Sequence, residues 1–180
     1  MLKSLSLLIL SLSFFIIRTT ATPYPTGPLK PVFLVTTPQR TPSSNSSLLH
    51  SVSATCLFDP YHQPNFLLRL TGPGYGSLPN FTLTDGTLHT TIYNFGPPAM
   101  GTFEYNSTLV LEGQELQFLA APQGKGNLAL VGGYLLAVDG AVEGWEVCVE
   151  ELGQSVVSLW KSGDATCNAT YIQAVTTPPY

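Results

Sequence analysis

Apolar and polar side chains alternate along much of the chain from residue 65 onward, which is the period of a β-strand. The segment NFLLRL (65–70) places every second side chain, beginning with Phe66, on one apolar face. Residues 81–93, FTLTDGTLHTTIY, contain two such runs joined by Asp-Gly at 85–86, the strongest short-range signal for a β-hairpin. This part of the chain is therefore predicted to form extended strands.

The hairpin signal recurs further along the chain. The segment STLVLEGQELQFL is predicted to turn at Glu112-Gly113, and NLALVGGYLLAVDG at Gly132-Gly133. Gly and Pro interrupt the chain about every 8 to 15 residues, and helical periodicity is almost absent. We predict a single all-β domain over residues 31–180, with about twelve strands in antiparallel hairpins that close into a β-trefoil-like barrel. A β-sandwich or an irregular barrel is the alternative.

The first and last strand patterns of the domain are expected to pair. VFLVTT (32–37) and YIQAVTT (171–177) are both rich in β-branched residues, and both run into prolines. Closing a sheet removes its exposed edges and brings the first strand beside the last. A weakly charged β protein needs this protection against aggregation, so we predict a pair between these two segments.

Residues 1–21 have the pattern of a secretory signal peptide. Lys3 precedes an apolar run over residues 5–17, and Thr19 and Ala21 occupy the positions preferred before a cleavage site. The run is about 13 residues, shorter than the roughly 20 that a membrane-spanning helix requires. We predict cleavage of residues 1–21, a Pro-rich lead-in at 22–30, and a secreted protein in the extracellular space or cell wall, with no membrane association.

The charge of the mature chain narrows the range of partners. Removal of Lys3 and Arg18 leaves five basic residues against eleven acids, a formal net charge of −6. Such a chain has no basic surface for nucleic acid or anionic lipid. Only 10% of residues are charged, against about 25% in a typical domain. Glycans would keep this surface hydrated, and four sequons are candidate N-glycosylation sites: Asn45, Asn80, Asn106 and Asn168.

Export also determines how the three cysteines are interpreted, because an oxidising compartment favours disulfides. We predict that Cys148 pairs with Cys167, closing a loop of about 20 residues. Cys56 is then left as a buried, inert thiol. A catalytic thiol would need a cationic setting, and no Cys or His residues have the spacing of zinc ligands. We therefore predict no metal site.

Motifs for nucleotide binding and for serine hydrolases are absent. The Gly-rich segment TGPGYGSLP (71–79) lacks a following helix and a Lys-Ser or Lys-Thr pair, so it is predicted to be a tight loop and not a phosphate cradle. Tyr75 would lie exposed at its tip, which makes this segment a candidate binding loop. There is no G-x-S-x-G nucleophile elbow. No cofactor and no catalytic residue are predicted.

Two acids beside an aromatic residue are the main candidate for enzymatic chemistry. Glu143 and Glu146 flank Trp145, and glycosidases use two carboxylates on either side of a sugar. Strand alternation, however, places Trp145 on the core face and Glu146 outside. A buried tryptophan beside solvated acids is the favoured interpretation. His89 lies on the polar face of its strand and is expected at the surface.

From Phe81 onward the chain resembles the small secreted cell-wall proteins of filamentous ascomycete fungi, the phialide-development (PhiA-like) group and its relatives. The matching segments, in order, are FTLTDGTLHTTIY, LQFLA, GYLLAVDG, GWEVC, SLW, a later cysteine and YIQAV. The resemblance covers about the last 100 to 120 residues; residues 22–55 depart from it. It implies a wall-associated or secreted protein with no assigned catalytic residues, and a late cysteine pair at Cys148 and Cys167.

These observations together predict a secreted, glycosylated, non-enzymatic structural or binding protein of the cell wall. Its expected partners are a wall polysaccharide or an extracellular protein, not nucleic acid or membrane. Two alternatives are a secreted effector that binds a host protein, and a carbohydrate-active enzyme that uses the acids near Trp145.

Overall fold

The computed structural model describes residues 30–43, 51–55, 65–71, 79–94, 101–149, 155–161, 163 and 165–180. Within these ranges the chain forms twelve β-strands and no helix, so no helix of the described part could cross a membrane. The strands are β1 (Phe33–Thr37), β2 (Ser51–Thr55), β3 (Asn65–Thr71), β4 (Phe81–Thr84), β5 (Thr87–Asn94), β6 (Gly101–Ser107), β7 (Gln117–Leu119), β8 (Leu128–Val131), β9 (Leu135–Val138), β10 (Trp145–Val149), β11 (Ser155–Trp160) and β12 (Asn168–Val175).

All of these strands pair antiparallel in one sheet, which confirms the predicted all-β class with antiparallel hairpins. The order is β11-β10-β12-β1-β2-β3-β7-β6-β5-β4, and β9 pairs with both β8 and β12. One further pairing, between Val157 and Arg69, joins β11 to β3. Six of the nine neighbour pairs along this path join consecutive strands, and three join strands that are distant in sequence: β10 with β12, β12 with β1, and β3 with β7.

The first and last strands pair as predicted. Five consecutive positions of β1 oppose five of β12, from Phe33 opposite Val175 to Thr37 opposite Tyr171. Leu34 and Ile172 are both almost fully buried and belong to the main core. The final strand is therefore part of the core, although it lies close to the end of the chain.

The predicted turns form where the sequence placed them. Asp85 and Gly86 between β4 and β5 have φ of 48° and 78°, and Gly132 and Gly133 after β8 have 63° and 82°. Two successive positive φ angles are the requirement of a type I′ turn, whose twist matches that of the flanking strands. Glu112-Gly113 lies in a turn closed by a 3.1 Å bond from the Gln114 amide to the Leu111 carbonyl. The strand predicted before this turn, in STLVL, is wrong beyond Ser107, because β6 ends there and residues 108–111 are loop.

Aromatic pairs occupy much of the main core. Trp145 is fully buried, its ring is 5.1 Å from that of Trp160 in an edge-on arrangement, and its Nε1 donates to the Leu136 carbonyl at 2.9 Å. Phe66 packs edge-on against Tyr105 with ring centroids 4.4 Å apart. Such pairs contribute about 0.5 to 1.5 kcal/mol each beyond the area they bury. The prediction that Trp145 faces the core is confirmed.

The predicted disulfide between Cys148 and Cys167 is present, with a sequence separation of 19. It connects β10 to the residue before β12, immediately beside the pairing of Val147 with Asn168. The bond thus fixes the start of β12 against the strand with which it pairs. The prediction for Cys56 lies outside the described residues.

Gly86 and Gly140 provide a matched pair for measuring how tightly one turn is packed. Each follows an aspartate, with φ of +78° and +82°, so alanine at either position incurs similar left-handed strain of about 1 to 2 kcal/mol. A Cβ at Gly86 would also lie 2.3 Å from the Gly126 carbonyl oxygen, whereas at Gly140 it meets open space. We expect Gly86→Ala to lower the free energy of unfolding by about 1 to 3 kcal/mol more than Gly140→Ala in urea titrations. Equal losses would contradict this packing.

The disulfide is expected to stabilise the fold by restricting the unfolded chain. Replacing both Cys148 and Cys167 with alanine should lower the free energy of unfolding by about 3 kcal/mol, because a cross-link across this loop removes that much chain entropy. Chemical denaturation of the variant and of the wild type measures the difference. Wild-type protein in reductant serves as the control and should show a similar loss; unchanged stability in both samples would exclude a stabilising bond.

Candidate functional site

Three residues that the sequence singled out lie outside the described part of the chain. They are Tyr75, the candidate binding residue of the loop at 71–79, Asn45 of the first sequon, and Cys56. The predictions made for them stay predictions.

The acids near Trp145 do not face an open aromatic surface. Trp145 has no exposed area, so it cannot stack on a sugar ring in this conformation. Glu143 Oε1 is 3.0 Å from Arg40 Nη1, and both side chains are more than half exposed. Glu146 follows Trp145 on β10 and is half-buried. The arrangement considered for a carbohydrate-active enzyme thus lacks its aromatic platform.

A shallow groove of about 360 Å³ lies where the loop after β6, the turn after β9 and the end of β11 meet. We call it the Trp160 groove. Its lining combines apolar side chains with two carboxylates, one amide and one ammonium group: Val110, Leu111, Glu112, Asn127, Val138, Asp139, Ala141, Trp160 and Lys161.

Asn127 holds two sides of the Trp160 groove together. Its Oδ1 accepts from the Val110 amide at 3.0 Å, and its Nδ2 donates to the Val110 carbonyl at 2.9 Å. Nδ2 also lies 3.3 Å from Asp139 Oδ2, while the Asp139 amide donates to the Asn127 carbonyl at 2.9 Å. A single side chain thereby fixes the loop at Val110 to the turn at Asp139.

The end of β11 forms the third side of the groove. The Trp160 carbonyl accepts from the Gly113 amide at 2.6 Å, and the Lys161 amide donates to the Gly144 carbonyl at 2.7 Å. Lys161 has φ of 49°, and its Nζ lies 5.2 Å from the centre of the Trp160 ring, within reach of a cation–π contact. Because Trp160 also packs on Trp145, this side of the groove is continuous with the core.

The rim of the groove offers both polar and apolar contacts. Glu112 and Asp139 are exposed acceptors, and Lys161 is an exposed donor. Leu109 and Leu111, on the same loop, are 54% and 52% exposed, which is high for leucine. A hydroxyl-rich ligand with one apolar face could contact the leucine side while the carboxylates accept from its hydroxyls. The rim of the groove therefore combines both kinds of contact that such a ligand requires.

Among the residues that the structure describes, one cluster has the composition of a metal site. Ligand atoms of Glu146, Cys148 and Cys167 lie within 4.8 Å of one another. Both sulfurs are consumed by the disulfide, and it is the thiolate that binds metal. In the oxidised protein this cluster therefore does not provide a zinc-type ligand set.

The described sequons differ in exposure. Asn80 precedes β4 and Asn168 begins β12, and both are exposed. Asn106 is only 6% exposed, and its Nδ2 donates to the Ala121 carbonyl at 3.3 Å. His89, expected at the surface, is instead half-buried, with its Nδ1 hydrogen-bonded to Asn106 Oδ1. Burial of the nitrogen that would receive a glycan argues against modification of Asn106 in the folded protein.

Sequence reasoning missed the Trp160 groove. The Asp-Gly pair at 139–140 signals a turn, and that turn forms with φ of 50° and 82°. Nothing local, however, indicates that this turn meets a loop about thirty residues earlier. In the sequence, Asn127 is also indistinguishable from an ordinary loop residue before β8.

Asn127→Ala should destabilise the protein and loosen the groove. The substitution removes the side-chain bonds to both backbone groups of Val110, and such losses at partly buried groups cost about 1 to 3 kcal/mol. Urea denaturation measures the change. Gln123→Ala is the control, because Gln123 makes an exposed bond to the Ala121 carbonyl and its loss should cost less than about 0.5 kcal/mol. Equal effects of the two variants would show that Asn127 has no special role.

Protein-family models, curated proteins and solved structures give no match to this chain. The resemblance to fungal cell-wall proteins stays a prediction based on the segments from Phe81 onward.

Proposed function

We propose that this protein is a secreted, glycosylated, non-enzymatic binding protein that contacts polysaccharide of a cell wall through the Trp160 groove. The observation that carries the proposal is the groove itself, in which exposed Leu111 lies beside the carboxylates of Glu112 and Asp139. Sugar rings present one apolar C–H face and a rim of hydroxyls, and this combination complements both. The leader at 1–21 and the sequons support export.

The walls of the Trp160 groove are held in place by hydrogen bonds, which favours recognition of a rigid ligand. These bonds are made by the Asn127 side chain and by the backbone at Trp160, so little order has to be gained when a ligand binds. A binding protein requires only such a preformed groove. Hydrolysis would need a general acid beside the bound sugar, and Glu143, one of the two acids considered for that role, is instead paired with Arg40.

We also propose that the sheet has β-trefoil connectivity. A β-trefoil contains a closed ring of strands, and the pairings consistent with that ring are β4 with β5, β8 with β9, β9 with β12, and β12 with β1. Reciprocal 2.8 Å bonds between Val32 and Phe81 join the start of β1 to β4, and the Leu128 amide donates at 3.0 Å to the Gly86 carbonyl beside β5. The remaining strands pair as β2 with β3, β6 with β7, and β10 with β11. This fold often hosts lectin sites, although fold alone is a weak argument for function.

An effector that binds a host protein is the second candidate. The observation that favours it is the exposure of Leu109 and Leu111 on one loop, since exposed apolar groups often mark protein contacts. Both candidates place the contact at the same loop. They differ in the partner, which a binding experiment can distinguish.

Retention on insoluble polysaccharide tests the proposal. The purified, glycosylated mature protein is mixed with chitin, β-glucan and mannan in separate tubes, and bound protein is measured after centrifugation. We expect retention on at least one polymer and a decrease of about 5- to 20-fold in affinity for Asp139→Asn, which removes a charged acceptor while leaving a residue that tolerates positive φ. Glu104→Gln is the control, because this exposed acid is not part of the groove lining.

Two outcomes would contradict the proposed function. Lack of retention on all three polymers would contradict the proposed polysaccharide binding and favour the candidate function in which the partner is a protein. Equal weakening by Asp139→Asn and Glu104→Gln would show that binding depends on overall charge and not on the groove. The supernatants are also assayed for released sugar, and release that depends on Glu112 or Asp139 would identify an enzyme.

A further inference from the structure

The sequon at 106–108 is incorporated in the sheet formed by β5, β6 and β7. Asn106 is 6% exposed and bridges two segments, with its Oδ1 bonded to His89 Nδ1 on β5 and its Nδ2 donating to the Ala121 carbonyl after β7. Both ends of the carboxamide are therefore used within the protein. Glu104 Oε1, on the same strand, lies 3.4 Å from the His89 Nδ1 and adds an acceptor to this contact.

The other two residues of the sequon also make hydrogen bonds within the protein. Ser107 is buried, and its Oγ accepts from the Leu88 amide at 2.9 Å. The Thr108 amide donates to the Gln117 carbonyl at 2.9 Å, and its Oγ1 lies 3.4 Å from that same oxygen. All three side chains of the motif thus connect β6 or the residue after it to its neighbours.

We infer that Asn106 is a structural bridge and remains unglycosylated in the folded protein, because a glycan on its Nδ2 and the native β5–β6–β7 packing exclude each other. N-glycosylation joins Nδ2 to the anomeric carbon of the first sugar, with loss of one amide hydrogen and departure of the lipid-linked diphosphate that carried the glycan. The bulky product would be attached to the nitrogen that now contacts the Ala121 carbonyl, in a side chain that is only 6% exposed. β6 and the segment after β7 would have to separate to accommodate it.

The exposed sequons provide the contrast within the same chain. Asn80 and Asn168 are both exposed, so a glycan on either side chain can project into solvent. The inference depends on the export proposed above in one respect, namely that the mapping of glycans requires a secreted, glycosylated protein. Glycan transfer acts on chains that have not yet folded, so chains modified at Asn106 are expected to stay unfolded and inside the cell.

Site mapping tests the inference directly. The full chain is expressed in a eukaryotic secretion host, protein from the medium is treated with peptide-N-glycosidase in heavy-oxygen water, and each sequon is scored by mass spectrometry. We expect conversion of Asn80 and Asn168 to labelled aspartate and less than about 5% conversion of Asn106 in the secreted protein. Any Asn106 occupancy should be confined to the retained fraction. Substantial occupancy of Asn106 in secreted, folded protein would overturn the inference.

A stability comparison tests the bridge independently of export. After enzymatic deglycosylation, Asn106→Ala should lower Tm by about 3 to 8 °C, because it removes a buried side chain together with its hydrogen bonds to His89 and to the Ala121 carbonyl. Asn80→Ala and Asn168→Ala are the matched controls and should shift Tm by less than about 2 °C. If no sequon is occupied, the proposed glycosylation fails and the Tm series alone decides; a shift at Asn106 no larger than the controls would overturn the bridge.

Discussion

The pairing of β12 with three other strands is the constraint on which the rest of the structure depends. It contacts β1, β9 and β10, so one strand near the end of the chain joins segments from its beginning, middle and end. The buried Gln173 on this strand also fixes the segment after β1, since its Nε2 donates to the Thr41 carbonyl at 2.8 Å and its Oε1 accepts from the Ser43 amide at 3.2 Å. Contacts over such separations require a large loss of chain entropy, and the disulfide beside β12 reduces that loss.

The Trp160 groove follows from this arrangement. Trp160 at the end of β11 packs on Trp145 at the start of β10, and Trp145 opposes Thr170 of β12. The groove wall is therefore supported by the best-buried part of the protein, while its rim consists of loop residues that can vary without loss of the core. This division suits a binding protein, because the scaffold positions the loops and the loops determine what they contact. The same division applies to the sequons: Asn106 belongs to the scaffold, whereas Asn80 and Asn168 are exposed.

Much of the fold could be read from local patterns. Asp85-Gly86 and Gly132-Gly133 form turns because glycine and aspartate accept the positive φ that the turns require. Alternation correctly placed Trp145 in the core, and the predicted pairing of Cys148 with Cys167 is correct. The site was far less accessible to such reasoning. Asn127 acts through Val110 and Asp139, which lie in different elements, and neither contact leaves a periodic signal in the sequence.

The sequence by itself determined the all-β class, the turns and the cysteine pairing, because each depends on residues close in sequence or on a count of few possible partners. Only the tertiary structure decided which loops meet and which polar side chains become buried. Asn106 and Asn168 share the same sequon chemistry, yet one is enclosed between His89 and Ala121 and the other is exposed. The physical reason is that burial depends on the strand register and on the packing of distant segments. That packing is the sum of many weak contacts, so it is not encoded at any one position.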